Sequence, residues 1–226
     1  MQDREIETQS NTKILPSRKK RIYEKYVKRM IDILLAGTAL IVLSPLFLLI
    51  AIAVRINLGS PVLFKQKRIG VGEKVFTLIK FRSMRDARDS FGNYLPDTQR
   101  LTRFGRFLRS TSMDELPEFL CVLRGEMSLI GPRPLPEVYL PYYRPKERLR
   151  HTIRGGLTGL AQVEGRNALT WEQRFEYDIF YTQHVCFALD VSIFVKTIKV
   201  ILQRSNIGER GVSTPEDLDY VREVQR

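Results

Sequence analysis

A nearly uncharged apolar run close to the N-terminus constrains this chain more than any other feature. From Ile31 to Val54 only Asp32 carries a charge. A straight helix of that length would extend about 36 Å, enough to cross a bilayer. Ser44-Pro45 interrupts the run near its middle, and proline removes a backbone hydrogen bond and bends a helix, although membrane helices tolerate such bends. The run therefore predicts a membrane segment, either a bent spanning helix or one that turns back.

Basic residues flank this segment on both sides. Seven Lys or Arg residues lie in 18–29, and further Lys and Arg residues in 55–68 precede the next acidic residue, Glu73. Because basic flanks tend to stay in the cytoplasm, both ends are expected on the same side. A cleaved signal peptide fits poorly, since the run is too long and starts too far along the chain. We therefore expect residues 30–54 to form a re-entrant helix that dips into one leaflet and returns.

Composition narrows the remaining possibilities. The chain has 37 Lys plus Arg against 25 Asp plus Glu, a net charge of +12, which favours an anionic partner such as phosphates or lipid headgroups. The two cysteines, Cys121 and Cys186, exclude a disulfide scaffold and fit a reducing compartment. The two histidines, His151 and His184, exclude an HExxH zinc site. No Walker A loop is present.

The rest of the chain alternates short strand patterns with helical ones. We predict strands at 62–66 and 75–81, joined by a turn at 70–74, a surface loop at 86–98, and helices at 102–108, 118–123, 171–182 and 191–202. The last helix is apolar with interspersed lysines, which suits either a core helix or one lying on headgroups. Residues 205–226 are polar, and we expect a loose C-terminal end.

Adjacent carboxylates, Asp114 and Glu115, are the first candidates for chemistry. Ser112 and Glu115 match the S-x-x-E capping box, so the segment could serve only to start a helix. Nearby arginines, including Arg109, favour the ionised form of a carboxylate. An ionised carboxylate can act as a nucleophile, and a neighbouring one can hold Mg²⁺ beside substrate phosphates.

Several basic side chains lie in sequence motifs that suit phosphate binding. Lys80 and Arg82 follow each other at alternate positions of a predicted strand, which would place both on one face, although charged residues also protect edge strands. Arg133 lies between two prolines that restrict its direction. Gln162 and Arg166 belong to a glycine-rich stretch whose backbone could approach a nucleotide closely.

Taken in order, these motifs resemble those of the small monotopic polyprenyl-phosphate phosphoglycosyl transferases, the bacterial sugar transferase family. The resemblance runs from about Tyr26 to about Thr214. It rests on the Ser44-Pro45 break, KFRSM at 80–84, RSTSMDELPE at 109–118, SLIGPRP at 128–134, GLTGLAQVEGRN at 156–167, and the series Trp171, Asp178, Tyr181 and Asp190.

The resemblance implies a fold and a domain organisation. The fold would be a small α/β globular domain, mostly α, with an N-terminal re-entrant membrane helix and interfacial amphipathic helices. Residues 1–25 would form a polar and basic extension, 26–58 the membrane segment, 59–204 the catalytic domain and 205–226 a tail. The protein would lie on the cytoplasmic face of the bacterial inner membrane, on anionic lipid.

The resemblance also implies a reaction. Asp114 would attack the β-phosphorus of a UDP-sugar and release UMP, and polyprenyl phosphate would then take the phosphosugar from Asp114. Glu115, together with Asp114, would bind Mg²⁺, while Lys80, Arg109 and Arg166 would bind phosphates and Arg133 would belong to the family's rigid loop. The product would feed downstream glycosyltransferases in glycoconjugate assembly.

Three alternatives remain open at this stage. The similarity favours a UDP-linked N-acetylated deoxysugar of the bacillosamine type as donor, but UDP-glucose, UDP-galactose and UDP-N-acetylgalactosamine also fit. A lipid glycosyl transferase would release UDP instead of UMP. A membrane-tethered binding protein is a third alternative, although its arginines and aromatic residues do not form a recognisable nucleic-acid module, and we expect no nucleic-acid partner.

Overall fold

The architecture is mainly helical with two small sheets, which confirms the α/β, mostly α, class. A computed structural model describes residues 22–165, 168–203 and 217–224. Within those residues the helices are α1 (Lys28–Val42), α2 (Ser44–Leu58), α3 (Asp97–Arg100), α4 (Arg103–Ser110), α5 (Glu118–Arg124), α6 (Leu160–Glu164), α7 (Trp171–His184), α8 (Phe187–Gln203) and α9 (Leu218–Val224). The strands are β1 (Leu63–Ile69), β2 (Val75–Phe81), β3 (Met127–Ile130) and β4 (Gly155–Thr158).

The apolar run folds into two helices that meet at a sharp bend. A π-helical turn, Tyr23–Val27, leads into α1, and the chain breaks at Leu43 before α2. Pro45 lies in the first turn of α2, where its missing N–H costs nothing, and Ser44 Oγ donates to the carbonyl of Ile41 at 2.8 Å. The two helical segments are bent by 63°. No single helix in the described residues is long and apolar enough to cross a membrane, whereas this bent pair meets the criterion when taken together.

One face of α1 packs onto the rest of the protein. Lys28, Asp32 and Ala36 are four residues apart and are its buried positions, as expected for one helix face. Lys28 Nζ lies 2.7 Å from Asp190 Oδ2, and Asp32 Oδ1 accepts a 2.9 Å hydrogen bond from the backbone N–H of Leu129. The single charge in the apolar run is therefore part of the contact between α1 and the α/β domain.

Two strand pairs place the site residues. β1 and β2 form an antiparallel hairpin with Phe64 opposite Lys80, which brings Lys80 to the end of the sheet near α5. β3 and β4 pair in parallel, with Met127 opposite Gly155. This pairing sets the segment that follows β3 against the glycine-rich segment around β4.

Two predictions about the helices near the C-terminus are resolved by burial. The apolar face of α8 is largely solvent-exposed, with Phe194 at 51% and Val195 at 57% exposure, so a pure core helix is wrong and an interfacial face fits. The predicted loose end is wrong for residues 217–224, because α9 buries Leu218 completely among Tyr139, Trp171 and neighbouring residues. Residues 1–21 of the predicted N-terminal extension lie outside the described residues.

Candidate active site

The two adjacent carboxylates sit in a tight turn between two helices. α4 ends at Ser110, Ser112 takes a left-handed conformation with φ of 56°, and a 3₁₀ turn carries Asp114 and Glu115 before α5 begins. The capping-box interpretation is wrong, because the Ser112 side chain makes no capping bond. A non-glycine residue with positive φ costs energy, and here it redirects the chain so that both carboxylates turn inward. Asp114 is 4% exposed and Glu115 is 7% exposed.

Two partly buried cations pair with Glu115 and with a third carboxylate, Glu118. Lys80 Nζ lies 2.9 Å from Glu115 Oε1 and 3.0 Å from Glu118 Oε1. Arg133 Nη2 donates to the same oxygen of Glu115 and lies 3.7 Å from Glu118 Oε1. Glu118 is completely buried and neither of its carboxylate oxygens accepts a hydrogen bond within the described residues. Ion pairing is what makes such burial tolerable.

Glu118 is the site residue that sequence reasoning missed. Its position predicts only the start of a helix, yet it lies three residues after Glu115, a spacing that places two helical side chains on one face. That spacing was the available signal. The structure thus brings three carboxylates, Asp114, Glu115 and Glu118, together with Lys80 and Arg133.

Arg133 is a permanent cation in this cluster. Burial by itself lowers the pKa of its guanidinium, but the carboxylates of Glu115, Glu118 and Asp114 outweigh burial and raise that pKa above its ordinary value. Its Nη1 also donates to the carbonyl of Leu157 at 3.0 Å. The predicted rigid arginine therefore points at the carboxylates.

Arg109 and Arg82, both predicted phosphate ligands, have different surroundings. Arg109 Nε donates to Ser83 Oγ at 3.0 Å, and both residues line the same cavity as Asp114. Arg82 donates to the carbonyls of Leu58 and Ser60, the latter at 2.8 Å, and so closes the C-terminal end of α2. The structure does not bring Arg82 onto the carboxylates that Lys80 contacts.

The glycines of the second predicted nucleotide segment serve a different purpose from the one expected. A Cβ at Gly156 would lie 2.1 Å from Gly131 N, and one at Gly159 would lie 2.1 Å from Gly131 O. These glycines therefore allow two backbone segments to meet. This finding corrects the prediction that they let a ligand approach the backbone closely. Gln162 lines the cavity and donates to the carbonyl of Leu157 at 3.1 Å. Arg166 lies outside the described residues.

A cavity of about 1430 Å³ connects the carboxylates with an apolar wall. The polar part of its lining includes Lys80, Arg109, Asp114, Glu115 and Arg133. The apolar part comes from α1 and α8, with Ile31, Leu35, Val191, Phe194, Ile198 and Ile201. Such a cavity can hold a phosphate group and a hydrocarbon chain at once.

The carboxylates of the cavity could also hold a metal ion. Within the described part of the chain, no group of three or more His, Cys, Asp or Glu side chains is arranged to hold a metal by itself. Asp114 and Glu115 nevertheless offer adjacent carboxylate oxygens, the ligands that Mg²⁺ prefers when substrate phosphates complete its shell. The donor set therefore fits an ion that is shared with a diphosphate substrate.

Comparison with known proteins identifies relatives over most of the chain. Residues 23–204 match the sequence profile described as bacterial sugar transferase. The chain is 46% identical to the uncharacterized sugar transferase EpsL of Bacillus subtilis over 84% of its own length and 94% of that protein. It is 40% identical to a UDP-glucose:undecaprenyl-phosphate glucose-1-phosphate transferase of Klebsiella pneumoniae, covering 76% of this chain and 39% of that protein.

A third relative carries a different sugar in its name. The chain is 37% identical to a UDP-N-acetylgalactosamine-undecaprenyl-phosphate N-acetylgalactosaminephosphotransferase of Aeromonas hydrophila, over 78% of this chain and 44% of that protein. The chain thus spans less than half the length of the Klebsiella and Aeromonas proteins.

Proposed function

The chain belongs to the bacterial sugar transferase family and is a sugar-phosphate transferase, and we propose that it moves a phosphosugar from a UDP-sugar to polyprenyl phosphate and releases UMP. One observation carries this proposal: the buried carboxylates and their cations share a cavity with an apolar wall. The polar part suits a diphosphate, and the apolar part suits the hydrocarbon of a lipid phosphate.

Asp114 is the proposed nucleophile. Its carboxylate oxygen would form a bond to the β-phosphorus while the bond from that phosphorus to the bridging oxygen breaks, so that UMP leaves with the electron pair. A phosphate oxygen of polyprenyl phosphate would then attack the same phosphorus and release the Asp114 carboxylate unchanged. Neither displacement requires a proton from the protein, because the attacking groups are anions and the leaving groups are stable as anions.

Fixed positive charge is what the site would contribute to both displacements. Lys80 and Arg133 are already oriented by Glu115 and Glu118, so they need little reorganisation when charge develops on the phosphoryl oxygens. Arg109, held by Ser83 at 3.0 Å, would add a cation on the α4 side. Mg²⁺, held by Asp114 and Glu115, would supply charge neutralisation at the diphosphate.

The exposed apolar faces support placement at a membrane. Leu48, Leu49 and Ile56 of α2 are 63%, 63% and 76% exposed, and exposed apolar patches of this kind mark membrane or partner surfaces. The 63° bend and the basic flanks support a re-entrant segment in the cytoplasmic leaflet of the inner membrane. The net charge of +12 suits anionic lipid.

The donor sugar and the acceptor pathway stay predictions. Relatives named for glucose and for N-acetylgalactosamine match this chain at 40% and 37% identity, a difference too small to choose between them. A bacillosamine-type donor is therefore one member of the panel to be tested. Downstream glycosyltransferases are the expected consumers of the lipid-linked product.

The test is nucleotide release by the detergent-solubilised full chain with Mg²⁺, undecaprenyl phosphate and a panel of UDP-sugars. We expect UMP from one or a few donors. Release of UDP would instead assign a lipid glycosyl transferase. Asp114→Asn should abolish UMP formation, while the control Glu137→Gln, at a half-buried carboxylate outside the cavity lining, should keep wild-type rates.

A second measurement tests the covalent step. Donor labelled in the sugar, mixed with enzyme in the absence of polyprenyl phosphate, should release one equivalent of UMP and leave the label on the peptide that contains Asp114. If the wild-type protein carried no label under these conditions, the two-step route would be refuted.

A further inference from the structure

The backbone of the segment after β3 is held by hydrogen bonds at three consecutive carbonyls. The donors come from three different parts of the chain. Gly156 N donates to Pro132 O at 3.0 Å, Arg150 Nη2 to Arg133 O at 2.6 Å, and Arg68 Nη1 to Pro134 O at 3.0 Å. Proline fixes φ but leaves ψ free, so these bonds are what set the peptide planes on either side of Arg133.

Arg150 has the most constrained environment of the three donors. It is 3% exposed, and each nitrogen of its guanidinium has a partner: Nε donates to Asp178 Oδ2 at 2.9 Å, Nη1 to Tyr143 Oη at 3.0 Å and Nη2 to Arg133 O. Asp178 is 2% exposed. Burial lowers the pKa of Arg150, but Tyr143 and Asp178 outweigh burial and raise it, so the guanidinium stays charged.

The other end of Arg133 reaches the carboxylates. Its guanidinium contacts Glu115 and donates to Leu157 O at 3.0 Å. A long side chain is well aimed only if its backbone is fixed. Arg150 supplies that fixation from outside the carboxylate cluster, through the carbonyl of the residue that is being aimed.

We propose that Arg150, held by Asp178, is a positioning residue that fixes the backbone of Arg133 and thereby aims its guanidinium at the reacting phosphates. The proposal rests on the proposed phosphosugar transfer. It also gives a role to Asp178, a motif residue to which the proposed transfer steps assign none.

A double-mutant cycle tests the coupling between the two arginines. Lysine at position 150 keeps a charge beside Asp178 but lacks the fork that reaches Asp178 and Arg133 O together. Arg150→Lys should lower kcat for UMP release by about 10-fold. In an Arg133→Ala background the same substitution should cause less than about 2-fold further loss, because there is no side chain left to aim. Equal losses in both backgrounds would overturn the proposal and indicate direct substrate contact or general destabilisation.

Arg222→Lys is the matched control. Arg222 is also a buried arginine, 6% exposed, with a 2.6 Å bond to Glu147 Oε1, and it belongs to α9. This variant should lower the unfolding temperature to a similar degree and leave kcat within about 2-fold of wild type. A kcat loss equal to that of Arg150→Lys would show that destabilisation alone explains the effect.

Hydrogen–deuterium exchange provides a readout that needs no turnover. In the substrate-free full chain, Arg150→Lys should speed exchange in the peptide covering 128–136, and Arg222→Lys should not. If this peptide exchanged at the wild-type rate in Arg150→Lys, the proposal would be overturned. If the wild-type protein released no nucleotide from any donor, the proposed function would fall, and the exchange result would still decide the positioning role.

Discussion

Gly105 controls how closely α4 approaches the segment that follows β2. A Cβ at position 105 would lie 1.8 Å from the backbone oxygen of Ser83, whereas Cβ atoms essentially never come closer than 3.0 Å, so Gly105→Ala must separate the two segments by 3.0 − 1.8 = 1.2 Å. The opposing atom belongs to the backbone and cannot rotate away. Arg109 follows one helical turn later, on the same face as Gly105, and moves with α4.

The 1.2 Å displacement sets the expected losses of stability and turnover in Gly105→Ala. Overpacking costs about 1 to 3 kcal/mol, and alanine regains about 1 kcal/mol of helix propensity over glycine, so we expect a net loss of stability of up to about 2 kcal/mol. A shift of this size stretches the 3.0 Å bond from Arg109 to Ser83 past the limit of about 3.5 Å for a hydrogen bond. Misplacing a phosphate-binding group by about 1 Å can cost about 100-fold in turnover.

The assay is UMP release together with thermal unfolding in detergent. Gly37→Ala is the matched control, because Gly37 also lies inside a helix and a Cβ there meets nothing within 4 Å; it should keep wild-type turnover. Wild-type turnover and an unchanged unfolding temperature in Gly105→Ala would refute the close-contact reasoning.

Three further predictions concern charge, pH and the C-terminal helix. Lys80→Met should lower the free energy of unfolding by about 3 kcal/mol, because it removes the nearest cation from the fully buried Glu118 carboxylate; adding Glu118→Gln should restore most of that loss, and a purely additive double variant would contradict the pairing. Burial and, next, the charge of Arg150 lower the pKa of His151 from 6.5 to about 3. Between these two pH values the unfolded chain binds a proton at His151 that the folded protein does not bind. Stability should therefore fall by about 2 kcal/mol between pH 7 and pH 5 through this group, and His151→Gln should show a correspondingly flatter pH profile in denaturant unfolding. Leu218→Ala should cost about 2 to 4 kcal/mol in thermal unfolding because the side chain is completely buried, whereas an unchanged melting temperature would mean that α9 is not docked in solution.

The sequence predicted the elements better than it predicted their contacts. Both hairpin strands and α4, α5, α7 and α8 lie where their patterns indicated, with Gly125 in the left-handed conformation expected after a helix. The structure brings the predicted site residues together only in part. Lys80 and Arg133 both contact Glu115, whereas Glu118 was not predicted and Arg82 closes a helix end instead of joining Lys80.

The prediction that Arg82 lies beside Lys80 is wrong for a local reason. Alternation along a strand correctly relates Lys80 to Arg82 only while the strand lasts, and β2 ends at Phe81. Arg82 lies one residue past that end, and its side chain donates to the carbonyls of Leu58, the last residue of α2, and Ser60. The glycine-rich pattern near β4 also predicts a ligand, whereas the nearest neighbours of Gly156 and Gly159 are backbone atoms of Gly131.

The sequence by itself determined the local properties of this protein. Hydrophobic periodicity, the proline break after Val42 and the charge of each motif depend on residues that are close along the chain, so they can be inferred from sequence alone. Only the tertiary structure decided which charges meet. Lys80 and Glu115 are 35 residues apart, and Arg133 is 18 residues from Glu115. A buried charge needs an opposite charge as its partner. Which residue supplies that partner depends on how the hairpin, α5 and the Arg133 segment pack together.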